Sequence, residues 1–79
     1  QNTMEFQLWD ENGKLILKSK NAPKIPLSDG RDGLSTLWLN GQAWRVNTAF
    51  SEKNQITVMV AEQSDYRQQL ENQLTQDSI

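Results

Sequence analysis

The side chains that could do chemistry here are carboxylates, a few cations and three tryptophans, because the sequence has neither histidine nor cysteine. The commonest general base, thiolate nucleophiles and the usual zinc ligands are therefore absent. Eight Lys and Arg residues against ten Asp and Glu residues give a net charge of −2. That balance offers no cationic footprint for nucleic acid or for an anionic membrane surface. We therefore expect no catalytic residue, no cofactor and no nucleic-acid partner.

One acidic loop superficially suggests a divalent-cation site. Asp29 and Asp32 lie in the segment Ser-Asp-Gly-Arg-Asp-Gly at positions 28–33. A calcium loop needs carboxylates at several fixed positions and a bidentate Glu at its end, which this segment lacks. We therefore predict no metal site and keep Asp29 and Asp32 as weak candidates. A hydrolase that uses a carboxylate pair is also disfavoured, because no pair has a defined cleft.

Four residues are candidates for contact with a bound signal: Trp9, Asp10, Trp38 and Arg45. Indole rings supply a large contact area with few torsions, and an arginine on a strand could clamp an anion. Core packing is the competing interpretation for the tryptophans, and pairing with a carboxylate is the competing interpretation for Arg45. For Trp44, core packing is strongly favoured.

The first half of the chain alternates as paired strands do. Apolar residues spaced by two precede and follow a turn at positions 10–13 that contains Asn12-Gly13. We expect Trp9 and Ile16 to lie on one face of this hairpin. The opposite face is predicted to carry Phe6, Leu8, Leu15 and Leu17.

Both prolines and two glycines fall in positions 21–33, so a helix or a central strand is excluded there. This segment is predicted to be a long connecting loop. Connections of this length without secondary structure are often functional or mobile, so we expect the loop to be the most variable part of the chain.

A second hairpin follows, with Asn40-Gly41 as a two-residue turn. This turn pairs Leu39 with Gln42, Leu37 with Trp44, Ser35 with Val46 and, on the other face, Thr36 with Arg45. For the next connection we predict a three-residue loop at 52–54 with Asn54 in the left-handed region. That loop places Ile56, Val58 and Val60 on the face of Trp44, and it leaves Trp9, Ile16, Trp38, Met59 and Ala61 on the other.

From Ser64 the apolar period changes to four, with Tyr66, Leu70 and Leu74 among polar residues. This pattern predicts a helix that Ser64 caps, with Asp65 in its first turn. The predicted fold is a single α+β domain over 1–79: a five-stranded antiparallel sheet, made of two hairpins plus one strand, with a C-terminal helix on one face. The strands are predicted at about 4–10, 14–19, 34–39, 42–51 and 55–62, and the helix at about 65–78.

The segment FQLWDENGKLIL at 6–17, followed by Ala22-Pro23 and Pro26-Leu27, resembles the extracytoplasmic sensor domain of bacterial two-component sensor histidine kinases. Within these kinases it looks like the quorum-sensing and tricarboxylate-transport group. The second half agrees with this resemblance through Gly33-Leu34, Gly41, the run AWRV at 43–46, the run VMVAEQ at 58–63, and Tyr66-Arg67.

The resemblance implies a PAS-like sensor architecture that lacks its N-terminal helix. It also implies a position on the periplasmic side of the inner membrane, between two membrane spans that flank this piece of a longer chain. The parent kinase would be a homodimer whose absent cytoplasmic part holds the catalytic residues and meets a response regulator. An unidentified signal would be relayed through the C-terminal helix, with Tyr66, Leu70 and Leu74 as transmission residues. The alternative is a non-catalytic interaction module that pairs through a strand edge.

Overall fold

Five β-strands make up the regular structure of residues 3–39 and 41–65, which are the residues that this computed structural model describes. The strands are β1 Thr3–Asp10, β2 Leu15–Lys18, β3 Gly33–Leu39, β4 Gln42–Ser51 and β5 Ile56–Asp65. They form one antiparallel sheet in the order β2-β1-β5-β4-β3. The sheet is therefore centred on β5, which is the last of the five described strands.

The predicted α+β class is wrong, because the described residues contain strands and no helix. Ser64 and Asp65, predicted to start a helix, instead continue β5 and lie opposite Ala43 and Gln42 of β4. The long β4 provides main-chain partners at these positions, and that pairing prevails over a local capping preference. The rest of the predicted helix, with Tyr66, Leu70 and Leu74, lies outside the described residues.

The register of the β3–β4 hairpin is the predicted one. Leu39 lies opposite Gln42, and Leu37 lies opposite Trp44. Gly41 has a φ of 77°, a backbone conformation that glycine adopts without steric cost. A turn with this geometry fixes the pairing of the two strands along their whole length.

The connection between β4 and β5 is one residue longer than predicted. Ser51 lies opposite Ile56, so the loop comprises residues 52–55, and Gln55 rather than Asn54 has a positive φ, of 55°. A shift of one residue exchanges the two faces of a strand. Met59 and Ala61, instead of Val58 and Val60, therefore share a face with Trp44.

The first hairpin also differs from its prediction. Leu8 lies opposite Leu17, but a β-bulge follows, so that Trp9 lies opposite Leu15. The four leucine and phenylalanine residues predicted to share a face are therefore divided between both faces. Phe6 is partly exposed, whereas Gln7 is fully buried.

One face of the sheet, here called the inner face, forms the core. Its buried apolar side chains come from three adjacent strands and are Trp9, Trp44, Val46, Met59 and Ala61. Leu27, from the connection between β2 and β3, packs into the same cluster. That connection, residues 19–32, crosses the inner face and is called the covering loop below. The predicted core position of Trp44 is confirmed.

The other face of the sheet, here called the outer face, is more open to solvent. Phe6 and Val60 lie opposite each other on it and are both exposed. The expectation that Trp9 and Trp38 share a face is wrong, because Trp9 is buried on the inner face and Trp38 is 56% exposed on the outer face.

Candidate functional site

The covering loop is held against the sheet by the side chain of Gln7, which is 0% exposed. Gln7 Nε2 donates hydrogen bonds to the carbonyl oxygens of Pro23, at 2.8 Å, and Ile25, at 2.7 Å. Gln7 Oε1 accepts hydrogen bonds from Leu27 N and from Trp9 Nε1, both at 3.1 Å. The amide has two donor hydrogens and two acceptor lone pairs, and these four bonds use all of them.

Two further contacts fix the second half of the covering loop. The hydroxyls of Ser28 and Thr48 are hydrogen-bonded at 2.7 Å. The carboxylate of Asp32 accepts a hydrogen bond of 3.1 Å from Phe50 N. The loop is therefore attached to β1 through Gln7 and to β4 through Thr48 and Phe50.

A cavity of about 260 Å³ lies where the covering loop meets the β1–β2 turn. Trp9 and Met59, two members of the buried core, line it from the sheet, and Thr57 of β5 lies beside them. Ser28 and Gly30 line it from the covering loop. The cavity therefore combines an apolar surface from the sheet with polar atoms from a loop, which is the usual composition of a small-molecule site.

Three carboxylates line the same cavity: Asp10, Glu11 and Asp29. Asp10 Oδ1 accepts hydrogen bonds from Asn12 N and Lys14 N at 2.9 and 2.8 Å, which closes the β1–β2 turn. Among the described residues that line the cavity there is no lysine or arginine. The local charge is therefore negative and disfavours an anionic ligand.

Asp29 lies on the loop side of the cavity. Its Oδ1 accepts a hydrogen bond of 3.0 Å from Arg31 N, and its Oδ2 lies 3.7 Å from Arg31 Nε. Both side chains are mostly exposed, and an ion pair of this kind contributes little to stability. The carboxylate of Asp29 is therefore accessible to a molecule in the cavity.

The structure divides the residues predicted to contact a signal. Trp9 and Asp10 line the cavity together with Asp29. Trp38 and Arg45 lie on the outer face, where Arg45 is opposite Thr36 of β3. The four candidates therefore do not form one site.

The weak metal candidates, Asp29 and Asp32, have separate roles in the structure. Asp29 lines the cavity, whereas Asp32 binds the main chain of β4. Within residues 3–39 and 41–65, no group of three or more His, Cys, Asp or Glu side chains could hold a metal ion.

Sequence reasoning missed Gln7, Thr57 and Met59. A glutamine between Phe6 and Leu8 suggests a solvent-facing position, since alternation normally places polar residues outside. The available signal was Trp9, two residues further along β1 and therefore on the same face. A buried indole N–H usually has an acceptor, and Gln7 provides one for Trp9.

A comparison with protein families finds a match over residues 1–74 to the family described as two-component sensor kinase N-terminal. No curated protein and no solved structure matches the chain. In the part of the chain that the structure describes, no helix has the length and apolar character needed to span a membrane.

Proposed function

Because the chain belongs to the two-component sensor kinase N-terminal family, we propose that it senses a signal on the periplasmic side of the bacterial inner membrane. In this proposal, membrane spans of the parent histidine kinase flank the domain. The domain itself carries out no reaction. The signal changes the activity of the cytoplasmic part of the kinase, which passes a phosphoryl group to its response regulator.

We place the signal site in the cavity beside Trp9. Its volume of about 260 Å³ lies just below the roughly 300–1,000 Å³ that is typical of small-molecule sites, so the ligand must be small. Trp9 and Met59 offer apolar contact to a ligand, and the carboxylates of Asp10, Glu11 and Asp29 also line the cavity. A small neutral or cationic molecule fits this charge, whereas a carboxylate or phosphate does not.

The position of β5 supports a direct route for the output. Thr57 and Met59 line the cavity, and the same strand continues to Asp65, where residues 66–79 begin. A ligand that contacts Thr57 can favour one position of β5 relative to its neighbours β1 and β4. A ligand shifts an equilibrium only by its difference in affinity for the two states. We therefore propose that the position of β5 differs between the two states and that β5 carries the signal toward its C-terminal end at Asp65.

A thermal-shift screen of the chain tests the site, because a ligand that binds the native state raises the free energy of unfolding by RT ln(1 + [L]/Kd). Small amines and neutral amides should include stabilising compounds, and the matching carboxylates should not. Asp29→Asn and Thr57→Val should lose the stabilisation. Lys53→Ala, in the exposed turn between β4 and β5, should keep it. Equal stabilisation of all three variants would place the ligand elsewhere.

The same variants test the relay in the intact kinase. Asp29→Asn and Thr57→Val should blunt the response of a reporter gene to the identified ligand at matched protein level, and Lys53→Ala should not. If Thr57→Val responds normally while Asp29→Asn loses binding, the proposed ligand site stands, but β5 is not the route by which the signal leaves it.

A further inference from the structure

The two edge strands of the sheet differ in how far they are open to another strand. At one edge, β2 has only four residues, Leu15–Lys18, and its pairing with β1 contains a bulge. Ser19, which follows the end of β2, also occupies the edge of β1. Ser19 N donates a hydrogen bond to Phe6 O, and Phe6 N donates one to Ser19 Oγ, both at 3.0 Å. A short, bulged strand that ends in a lysine is a common defence against edge-to-edge pairing.

The opposite edge, β3, has none of these defences. It has seven residues, Gly33–Leu39, with neither a charged residue nor a proline, and its register with β4 is regular. Where β3 begins, the carboxylate of Asp32 accepts the hydrogen bond from Phe50 N. The N–H of Phe50, which lies beyond the end of β3, is therefore not open to another strand.

The pairing of β3 determines which main-chain groups it presents outward. In an antiparallel ladder, residues that exchange hydrogen bonds alternate with residues that do not. Leu39 and Gln42 flank the two-residue turn and form the first hydrogen-bonded pair. Counting back in steps of two, Ser35 bonds β4, whereas Leu34 and Thr36 direct their N–H and C=O groups away from it. A row of such groups binds another β-strand.

The side chains along this edge suit a second copy of β3. Leu34 is 83% exposed and Trp38 is 56% exposed, and Thr36 lies between them on the same face. In an antiparallel pair with a two-fold axis at Thr36, Leu34 of each copy lies opposite Trp38 of the other. Apolar and aromatic residues that are opposite each other stabilise a pair of strands, and an uncharged strand meets no like charge in its own copy.

We propose that β3 pairs with β3 of a second copy about a two-fold axis at Thr36, so that the two sheets become continuous. The interface uses the same surface on both copies, and the defended β2 edges prevent further addition, so assembly stops at a dimer. This interface is separate from the cavity beside Trp9, and the two can be tested independently.

Sedimentation of the 79-residue chain at the concentrations used for NMR should show a dimer. Thr36→Pro removes an N–H that points away from β4, so it should leave the β3–β4 hairpin intact and weaken dimerisation at least about tenfold. Thr36→Val keeps the N–H and should remain dimeric. A monomeric wild-type chain, or a Thr36→Pro dimer as stable as the wild type, overturns the proposal.

A cross-linking experiment tests the axis even if Thr36→Pro fails to fold. The chain has no cysteine, so a single introduced thiol can form only an intermolecular disulfide. Directly opposite Cα atoms in a hydrogen-bonded pair are about 5.5 Å apart, within the range of roughly 4.4–6.8 Å that a disulfide spans. Mild oxidation should cross-link Thr36→Cys and leave Leu17→Cys, an exposed position on β2, monomeric. Equal cross-linking of both variants shows random collision and rejects the proposed axis.

Discussion

The backbone N–H of Leu27 donates a hydrogen bond of 3.1 Å to Oε1 of Gln7. Leu27 is 1% exposed and Gln7 is 0% exposed, so this bond joins a buried residue of the covering loop to a buried residue of β1. The same oxygen accepts the indole N–H of Trp9. One amide thus fixes both the loop and the tryptophan that line the candidate site.

Replacing Gln7 with leucine should destabilise the fold by about 3 kcal/mol, although the side-chain volume is nearly conserved. The substitution leaves Leu27 N, Trp9 Nε1 and two loop carbonyls without the partner they now have, and an unpaired buried polar group costs roughly 1–3 kcal/mol. Urea unfolding measures the change. Asn47→Leu, at an exposed position of β4, is the control and should stay within about 0.5 kcal/mol of wild type.

Truncating Leu27 should show that the covering loop is part of the core. Leu27→Ala should reduce the free energy of unfolding by about 2–4 kcal/mol, because it opens a cavity beside Trp9 and Trp44. Ile25→Ala, two residues away in the same loop but about half exposed, should cost less than about 1 kcal/mol. Equal shifts in thermal or urea unfolding would mean that the loop does not pack as described.

Trp44 belongs to the buried cluster of the inner face and is 4% exposed. Trp44→Ala should cost about 3–5 kcal/mol. Phe50→Ala removes a ring at the far end of the same strand, where the side chain is 45% exposed, and should cost clearly less. Chemical denaturation of both variants compares them directly, and a larger loss for Phe50→Ala would contradict the assignment of the core.

The turn between β4 and β5 offers a test of its length. Gln55 has a φ of 55°, in a region that costs a residue with a side chain roughly 1–2 kcal/mol. Gln55→Gly should therefore raise the free energy of unfolding by about 0.5–1 kcal/mol. This net value includes the loss of the hydrogen bond from Gln55 Nε2 to Glu52 O.

Asn54→Gly is the matched control, because Asn54 does not have a positive φ. It should be neutral or destabilising, since glycine adds conformational entropy to the unfolded chain. If Asn54→Gly stabilises the protein and Gln55→Gly does not, the three-residue turn is the correct one. Thermal unfolding at matched concentration distinguishes the two results.

Local sequence determined the β3–β4 hairpin. Asn40-Gly41 favours a two-residue turn, and a turn of that length sets the register of both strands. The pairing of Leu37 with Trp44 follows from it. Alternating apolar residues also indicated a five-stranded antiparallel sheet. Three residues that the sequence analysis had selected, Trp9, Asp10 and Asp29, line the same cavity.

Only the tertiary structure decided which face of β1 and β5 is buried. Along β5, Val58 and Val60 alternate with Met59 and Ala61, so both faces are apolar and the pattern favours neither. On β1, Phe6 and Leu8 gave the stronger apolar signal, yet Gln7 is the buried residue. A one-residue difference in the β4–β5 turn exchanged the faces of β5.

The covering loop determined which face of the sheet is buried. Its main-chain groups need partners when they are buried, and Gln7 supplies them at Pro23, Ile25 and Leu27. These bonds join residues 16 to 20 positions apart in the chain, so no local spacing predicts them. The face that could satisfy the loop became the core, because leaving an apolar side chain at the surface costs little, whereas burying several polar groups without partners costs much more.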